Sequence, residues 1–455
     1  MRFLPDGRDL TVSVIGMGYV GSCLSASLAE SGLNVTCVDT DDRLVAEMRG
    51  GGSRFRDPGL PEMFSQGVAA GRLSFTDQAG VTKFSEVTAC DVVIVSVGTP
   101  ARDRGRLVDT QLRRCCEELS RHLRPGQLVI VKSTVPPGTM RRLVVPLLES
   151  GGLVCGEDFG LAFCPERLSQ GAALTELRSL PVIVGGWCAD SAAAASEFWL
   201  RGLGSHVVDC SSLEAAELAK LANNWWVDHN IALANELAQV CASLDVDVME
   251  VIEAANSIPK GNGLVNVLLP GVGVGGSCLT KDPWMLWRAA KERGVDLATI
   301  STARQVNDAM PELTARLVLD GLEEAGKSPR GAKIAVLGLA FKNNTGDLRE
   351  TPTAPVVARL AAAGADVSLY DPLVDQDEAH RIFGRTMSPT LEAAIEGADC
   401  LAILAWHREF HQIDFPSLSA EVGRDCLIVD GRAHFPADVV ASFRQAGFSY
   451  RGIGR

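Results

Sequence analysis

Residues 273–284 read GVGGSCLTKDPW, a cysteine inside a glycine-rich loop with Lys281 and Asp282 three and four positions beyond it. Alone, a cysteine beside glycines is more often a small packed thiol than a reactive one. The alternative chemistry is nucleophilic: a thiolate at Cys278 would add to an electrophilic carbon, provided positive charge or aimed donors stabilise it at neutral pH. Glycines in such a loop let main chain approach a ligand where a Cβ would intrude.

A source of positive charge lies almost sixty residues earlier. In SSLEAAELAKLANNWWVDHNIALANELAQVCASL, Lys220, Asn224 and Asp228 recur every fourth residue, so a helix stacks them on one side. Ser211 and Glu214 have the spacing of a capping box, and Leu218, Leu221, Ala222, Trp225 and Leu233 supply an apolar face. A polar stripe of this kind is ordinarily a solvated surface. Here Lys220 and Asn224 are flanked by Leu221, Ala222, Asn223 and Trp225, and a lysine in apolar surroundings needs a reason to be there.

The elements that would position these groups are legible on either side. TVSVI (11–15) is a short β-branched run followed at once by Gly16-Met17-Gly18-Tyr19-Val20-Gly21 and then by the helical pattern SCLSASLAESG. A glycine fingerprint between a strand and a helix permits a tight turn and brings a pyrophosphate against the helix N-terminus. The next strand, NVTCVD, ends at Asp39, eighteen residues after the last glycine. A carboxylate there accepts from a ribose 2′-hydroxyl and repels a 2′-phosphate, which favours NAD over NADP. Strand and helix alternate onward through DVVIVSVGTP (91–100) and QLVIVKSTVPPGT (127–139), the pattern of a doubly wound parallel sheet.

From about residue 331 the pattern restarts. AKIAVLGLAFK, ADVSLYDP, ADCLAILAWH and CLIVDGR read as strands, and ADCLAILAWH echoes ACDVVIVSVG of the first part. In the turn Gly338-Leu339-Ala340-Phe341-Lys342 only the first glycine of the fingerprint survives. A phosphate-binding helix start is compatible with that turn, but a dinucleotide is not its expected occupant. Lys342, Arg349 and Arg432 are available for the phosphates of a different nucleotide.

Composition bounds the partners. At 455 residues the chain is long enough for two or three domains. Its formal charge of −13 argues against nucleic acid or an anionic membrane, which require a dense positive face. No apolar stretch of about twenty residues appears, and the amino terminus lacks the apolar core of a signal peptide. Thirteen scattered cysteines with no CxxC spacing read as free thiols of a cytoplasmic protein, and no zinc site is expected.

Taken in order, GMGYVG, VGTP, KSTVPPGT, CPERLSQG, ELAKLANN, GVGGSCLTKD, GLAFKNNTGDLRE and DGR resemble the nucleotide-sugar 6-dehydrogenases, the UDP-glucose/GDP-mannose dehydrogenase family, over nearly the whole chain. The resemblance implies a four-electron oxidation of a hexose C6 alcohol to a carboxylate with two NAD⁺ in succession. It implies an NAD site lined by Gly16, Gly18, Tyr19, Val20, Gly21, Asp39, Arg43, Gly98, Thr99, Pro100, Ser133 and Thr134, with Arg349 reaching it from the C-terminal domain. The catalytic group it implies is Cys278, Lys220, Asn224, Asp282 and Glu166. Substrate contacts would come from Glu166, Arg167, Leu168, Lys220, Asn224, Lys260, Leu269, Gly273, Gly275, Phe341, Lys342 and Arg432, with Lys260 near where the family offers an arginine across a subunit boundary. Cys278 would hold the aldehyde as a thiohemiacetal and then a thioester. Lys220 would supply charge, Asn224 a neutral donor, Asp282 an acceptor for the alcohol proton, and Glu166 activation of the hydrolytic water.

The implied fold is α/β: two Rossmann-like doubly wound domains joined by a central helical domain with a long helix. The boundaries are 1–208 for the NAD-binding domain, 209–322 for a central dimerisation domain carrying catalytic residues, and 323–455 for the nucleotide-sugar domain. A homodimer or larger homo-oligomer is implied. Blocks typical of two branches are mixed. GGSC, Lys281-Asp282 and GDLRE resemble the glucose branch; CPERLSQG, NIALANEL, NSIP and PGVGVGG resemble the mannose and N-acetylmannosamine branch, and Gln170 stands where the glucose branch often has Glu. The favoured substrate is UDP- or dTDP-glucose, with UDP-N-acetylmannosamine or GDP-mannose as the alternative. A short-chain epimerase or dehydratase would need Tyr-x-x-x-Lys, and Cys23, Val374 and Gly454 stand where that lysine would be. A non-catalytic NAD or sugar-nucleotide sensor is the alternative of another class.

Overall fold

The apolar run Thr11–Ile15 forms strand β1, and the segments after it build a sheet around it. In the computed structural model, which describes residues 2–5, 10–55, 57–77, 87, 89–261 and 263–455, the chain divides into two compact units. The first is Met1–Asn223 with Trp284–Val295; the second is Asn224–Pro283 with Asp296–Arg455.

In the first unit β1 is joined by β2 (Asn34–Asp39), β3 (Leu73–Asp77), β4 (Val92–Val95), β5 (Leu128–Val131), β6 (Gly160–Phe163), β7 (Val182–Gly186) and β8 (Val207–Cys210). Their order across the sheet is 8-7-6-5-4-1-2-3, and every pair is parallel except β6 with β7. Both faces are covered, so β4 and β5 are buried along their whole length. Val12, Val14, Val92 and Ile94 face one core with Phe64, Phe198 and Trp199, whereas Ile15, Val93 and Val95 face the other with Leu119, Leu148 and Phe159. The order reverses between β1 and β4. Loops 16–18 and 96–100 leave side by side there, at the switch point where α/β sheets bind ligands.

The second unit contains β9 (Lys333–Leu337), β10 (Asp366–Tyr370), β11 (Cys400–Ile403), β12 (Leu427–Asp430) and β13 (Ser449–Gly452), all parallel, in the order 10-9-11-12-13. The first four repeat the arrangement of β1, β2, β4 and β5, as the echo between ADCLAILAWH and ACDVVIVSVG suggests. The chemistry at the switch point differs. Residues 338–352 form a loop, and the next helix begins only at Thr353, so the helix start considered at Gly338 is absent. Asp371, just past β10, is buried and accepts from the main chain of Leu339 (2.7 Å) and Leu373 (2.9 Å) and pairs with the buried His407 Nε2 (3.0 Å). His407 Nδ1 accepts from Asn344 N (2.9 Å), so Nε2 carries the proton that it donates to Asp371. The acid is thereby spent on its own loop.

Two long helices complete the chain, Leu213–Ser243 of 31 residues and Ala298–Glu324 of 27. The first is capped by Ser212 rather than Ser211: Ser212 Oγ accepts from Ala215 N (3.1 Å). Glu214 pairs with Arg141 (2.7 Å) instead of closing a capping box. Among the described residues no helix is long and apolar enough to cross a membrane, and no His, Cys, Asp and Glu side chains cluster to hold a metal.

Candidate active site

The first unit carries a cradle at the C-terminal edge of β1. Gly16 has φ of +95°, and a Cβ there would stand 2.6 Å from Ser96 O. A Cβ on Gly21 would collide with the carbonyl of Gly16. By contrast, Gly18 faces open space and caps the helix Tyr19–Glu30 with no side-chain hydrogen bond, leaving its first-turn N–H groups to an anionic ligand. Asp39 Oδ2 accepts from Met17 N (2.6 Å) and Oδ1 from Asp41 N (3.0 Å), so the carboxylate is fixed beside the turn with lone pairs left for ribose hydroxyls. These features fit a dinucleotide. Thr99 and Ser133 are buried at the same edge, Ser133 Oγ donating to Val97 O (2.7 Å), with Thr134 half-buried beside them. Gly98, Pro100 and Arg43 are exposed. The Tyr19 hydroxyl is engaged, donating to Asp57, whose carboxylate also accepts from Gly171 N (2.7 Å), so Tyr19 offers a ligand its main-chain N–H.

Glu166 follows β6. Its Oε1 accepts from Arg167 N and Leu168 N, both at 2.6 Å. Its Oε2 is buried without a hydrogen bond and faces the ammonium of Lys132 at 3.4 Å. Leu168 packs on the core, and the Arg167 guanidinium bonds the Pro181 carbonyl. Lys220, on the long helix, is only 6% exposed, yet among the described residues no carboxylate or carbonyl receives its ammonium. A lysine whose stem is buried in this way and whose ammonium has no protein acceptor is available to a ligand. Three residues earlier, Glu217 is fully buried and takes the main-chain N–H groups of Gly138 and, at 2.8 Å, Met140. Burial pushes its carboxyl up to about 7.

In the second unit Cys278 is exposed, while the other twelve cysteines are buried or half-buried. Its carbonyl accepts from Lys281 N (3.1 Å) and Asp282 N (2.8 Å), and the helix Asp282–Lys291 starts there. Asp282 is fully buried between two donors, Lys281 Nζ at 2.5 Å on Oδ1 and Asn224 Nδ2 at 2.6 Å on Oδ2. The side chains of Asp282 and Asn224, 58 residues apart, are thus joined, and Cys278 stands one turn before Asp282 through its main chain. Asp228 is not part of this group. It is buried in a salt bridge with Arg304 (2.7 Å) and a hydrogen bond from Asn307 (2.9 Å), a structural network in which burial raises its pKa against the pull of the arginine.

The loop leading to Cys278 is held by asparagines. Asn230 accepts from Leu268 N (2.8 Å), Asn256 from Val267 N (2.7 Å) and Asn235 from Gly271 N (2.9 Å). A Cβ on Gly275 would lie 2.5 Å from Glu350 O and 2.6 Å from Phe341 Cβ. Gly276 N donates to Arg349 O (3.0 Å). The Arg349 guanidinium is bound to Asp347 (2.6 Å), which raises its pKa, and the nearby Cys278 thiol acts in the same direction. Arg432 donates to Leu404 O (2.8 Å) and Phe341 O (2.7 Å); desolvation lowers it to about 10, so it stays charged at neutral pH. Leu269 and Lys342 are exposed, as is Lys260 in the small ribbon Pro259–Lys260 with Gly263–Leu264. Sequence reasoning missed Lys132, Glu217 and the asparagines. Lys132 was visible only as a charge ending the buried run LVIV, and Glu217 as an acid among alanines and leucines.

Comparison with known proteins agrees with this organisation. Residues 10–201 match the NAD binding domain of the UDP-glucose/GDP-mannose dehydrogenase family, 214–309 its central domain and 335–437 its UDP binding domain. The chain belongs to that family. It is an NAD-dependent nucleotide-sugar dehydrogenase. Among its relatives, the UDP-N-acetyl-D-mannosamine dehydrogenase of Pyrococcus horikoshii is 34% identical over 447 residues, 98% of this chain and 99% of that one. The UDP-glucose 6-dehydrogenase of Rhizobium meliloti is 32% identical over 457 residues, 98% of this chain and 100% of that one. A solved structure of UDP-D-ManNAc dehydrogenase from Pyrococcus horikoshii superposes with a TM-score of 0.85 at 32% identity, covering 98% of this chain and 99% of that one.

Proposed function

We propose that this chain oxidises the C6 hydroxymethyl of a nucleoside-diphosphate hexose to the uronic acid through a thioester on Cys278. The observation that carries the proposal is the exposed Cys278 at the head of a helix whose first residue, Asp282, is buried and bonded to Asn224. NAD⁺, when bound, accepts the hydride in each of the two oxidations. Cys278 Sγ adds to the aldehyde carbon, forming a C–S bond and a thiohemiacetal, so the aldehyde does not escape between the two oxidations. Lys220, buried and without a partner, stabilises the thiolate and the oxyanion of the tetrahedral species. Asn224, its amide oriented by Asp282, donates its remaining N–H. Glu166 takes a proton from the water that cleaves the thioester. Arg432, Phe341, Lys342 and the main chain of loop 269–275 hold the diphosphate and sugar, while Arg349 and Lys260 flank them.

For the sugar, relatives named as UDP-N-acetyl-D-mannosamine dehydrogenases support a 2-acetamido hexose, and CPERLSQG and NSIP resemble that branch. UDP-glucose is the second reading, supported by GDLRE, GGSC and the rhizobial relative. Incubating the protein and NAD⁺ with UDP-N-acetylmannosamine, UDP-glucose, dTDP-glucose and GDP-mannose in turn tests both. NADH formation from the first is expected, and turnover of UDP-glucose alone would reverse the preference. A homodimer is supported by Trp226, Leu233 and Val240, exposed at 48–54% along one helix at steps of seven residues, with the exposed Leu244 just beyond its end. Thirteen free cysteines support a reducing, cytoplasmic location.

A further inference from the structure

We infer that Lys132 is a positioning residue for Glu166, holding that carboxylate ionised and aimed for the hydrolytic step; the inference rests on the proposed role of Glu166 as base. Lys132 ends β5, its main chain continuing the ladder through Lys132 N to Val95 O (2.8 Å). Its side chain is 4% exposed, and a buried ammonium is retained only where something receives it. Three groups do. Glu166 Oε2 lies 3.4 Å away, Cys164 O lies at 3.4 Å, and the Trp199 ring has its centroid 4.8 Å from Nζ.

The division of labour on the carboxylate is asymmetric. Oε1 is saturated by two main-chain donors, which fix the plane of the group. Among the described residues Oε2 makes no hydrogen bond, and it faces the ammonium at 3.4 Å. An oxygen in that state keeps its lone pairs unspent, which is what a proton acceptor requires. Two of the other titratable groups around it are neutral, and the third is directed elsewhere. The Cys23 thiol, from the helix Tyr19–Glu30, is pushed up by burial and by Asp57 and Glu166, and burial pushes the Cys164 thiol up to about 11, so both are neutral. The Arg167 guanidinium is engaged by the Pro181 carbonyl. Lys132 is therefore the cation in direct contact with Glu166 Oε2. In the step it supports, a water proton passes to Glu166, the water oxygen bonds the acyl carbon, and the C–S bond breaks with its electron pair returning to Sγ. The product is the carboxylic acid and the Cys278 thiolate.

The test uses single-turnover kinetics and intact mass with UDP-N-acetylmannosamine and NAD⁺, comparing wild type, Lys132→Met, Glu166→Gln and the double variant. In Lys132→Met the acidic limb of thioester hydrolysis moves up by about 1 pH unit or more, since an opposite charge at this range lowers a carboxyl by that order. Acyl-enzyme on Cys278 then accumulates at pH values where wild type shows none, while hydride transfer before it keeps its rate. The double variant replaces the ion pair by two neutral groups, so the comparison survives even where a lone buried carboxylate destabilises the single variant. It should match Glu166→Gln within a factor of two, because Lys132 acts through Glu166. An unmoved limb in Lys132→Met without acyl-enzyme, or a double variant tenfold slower than Glu166→Gln, overturns the inference. Failure of Glu166→Gln itself to accumulate acyl-enzyme would instead remove the role of Glu166 on which it rests.

Discussion

Asn224 Nδ2 and Asp282 Oδ2 stand 2.6 Å apart, joining the long helix to the first residue of the helix behind Cys278. Asp282 is fully buried and holds a second donor, Lys281 Nζ, on its other oxygen. With both oxygens occupied by donors, it serves better as the anchor that orients Asn224 than as a free base. Replacing Asp282 by Asn leaves one of the two donors without an acceptor. Turnover is expected to fall by about 100-fold, the usual range for losing a preorganised donor, with KM changed only a few-fold. Steady-state NADH formation measures both.

Lys220→Met separates function from stability. Because no carboxylate or carbonyl among the described residues receives its ammonium, removing it should change stability by about 1 kcal/mol or less, while activity falls by at least ~100-fold. Urea unfolding and NADH assays on the same preparation give the comparison. A destabilised but active variant would place Lys220 in the scaffold instead.

Glu217 makes stability depend on pH. Its folded-state pKa of about 7 lies above the ordinary 4.5, so between those values the folded protein binds the extra proton. Stability from this group is therefore present below about pH 4.5 and is lost as pH rises through 7, by ~3 kcal/mol in total. Glu217→Gln should flatten that slope. It should also cost ~1–3 kcal/mol near pH 5, because one of the two main-chain donors at Gly138 and Met140 loses its acceptor. Urea midpoints at pH 5 and pH 8 for both proteins check the sign.

Gly275→Ala should act on the sugar nucleotide and leave the dinucleotide alone. Its Cβ would press on the Glu350 carbonyl at 2.5 Å and on Phe341 at 2.6 Å, displacing the loop that carries Cys278. KM for the sugar nucleotide is expected to rise by about tenfold or more, with NAD⁺ binding by fluorescence unchanged.

Strands that carry chemistry at their ends were legible, because β1, β4, β5, β9, β11 and β12 are buried on both faces and read as short runs dominated by apolar and β-branched residues. Strands β3, β6, β7, β8 and β13 were not seen. LSFTD and SYRG interleave polar residues, GLAF and VIVGG are diluted by glycine, and VVDC is short and half-exposed at the sheet edge. The candidate reactive residues could be proposed from their types. Their supports could not: a lysine that ends a strand, a glutamate that grips a turn and asparagines that grip a loop look ordinary until long-range contacts give them partners. Asp228 shows the converse, since helical spacing placed it with Lys220 and Asn224 but its salt bridge to Arg304 gives it a structural role.

The central claim is that one sulfur carries the substrate through both oxidations. The direct measurement is the number of NADH molecules formed per sugar nucleotide consumed, in wild type and in Cys278→Ser. Two NADH per uronate in wild type, and no uronate from the serine variant, is the predicted result. One NADH per sugar in wild type, or complete double oxidation by Cys278→Ser, would contradict it.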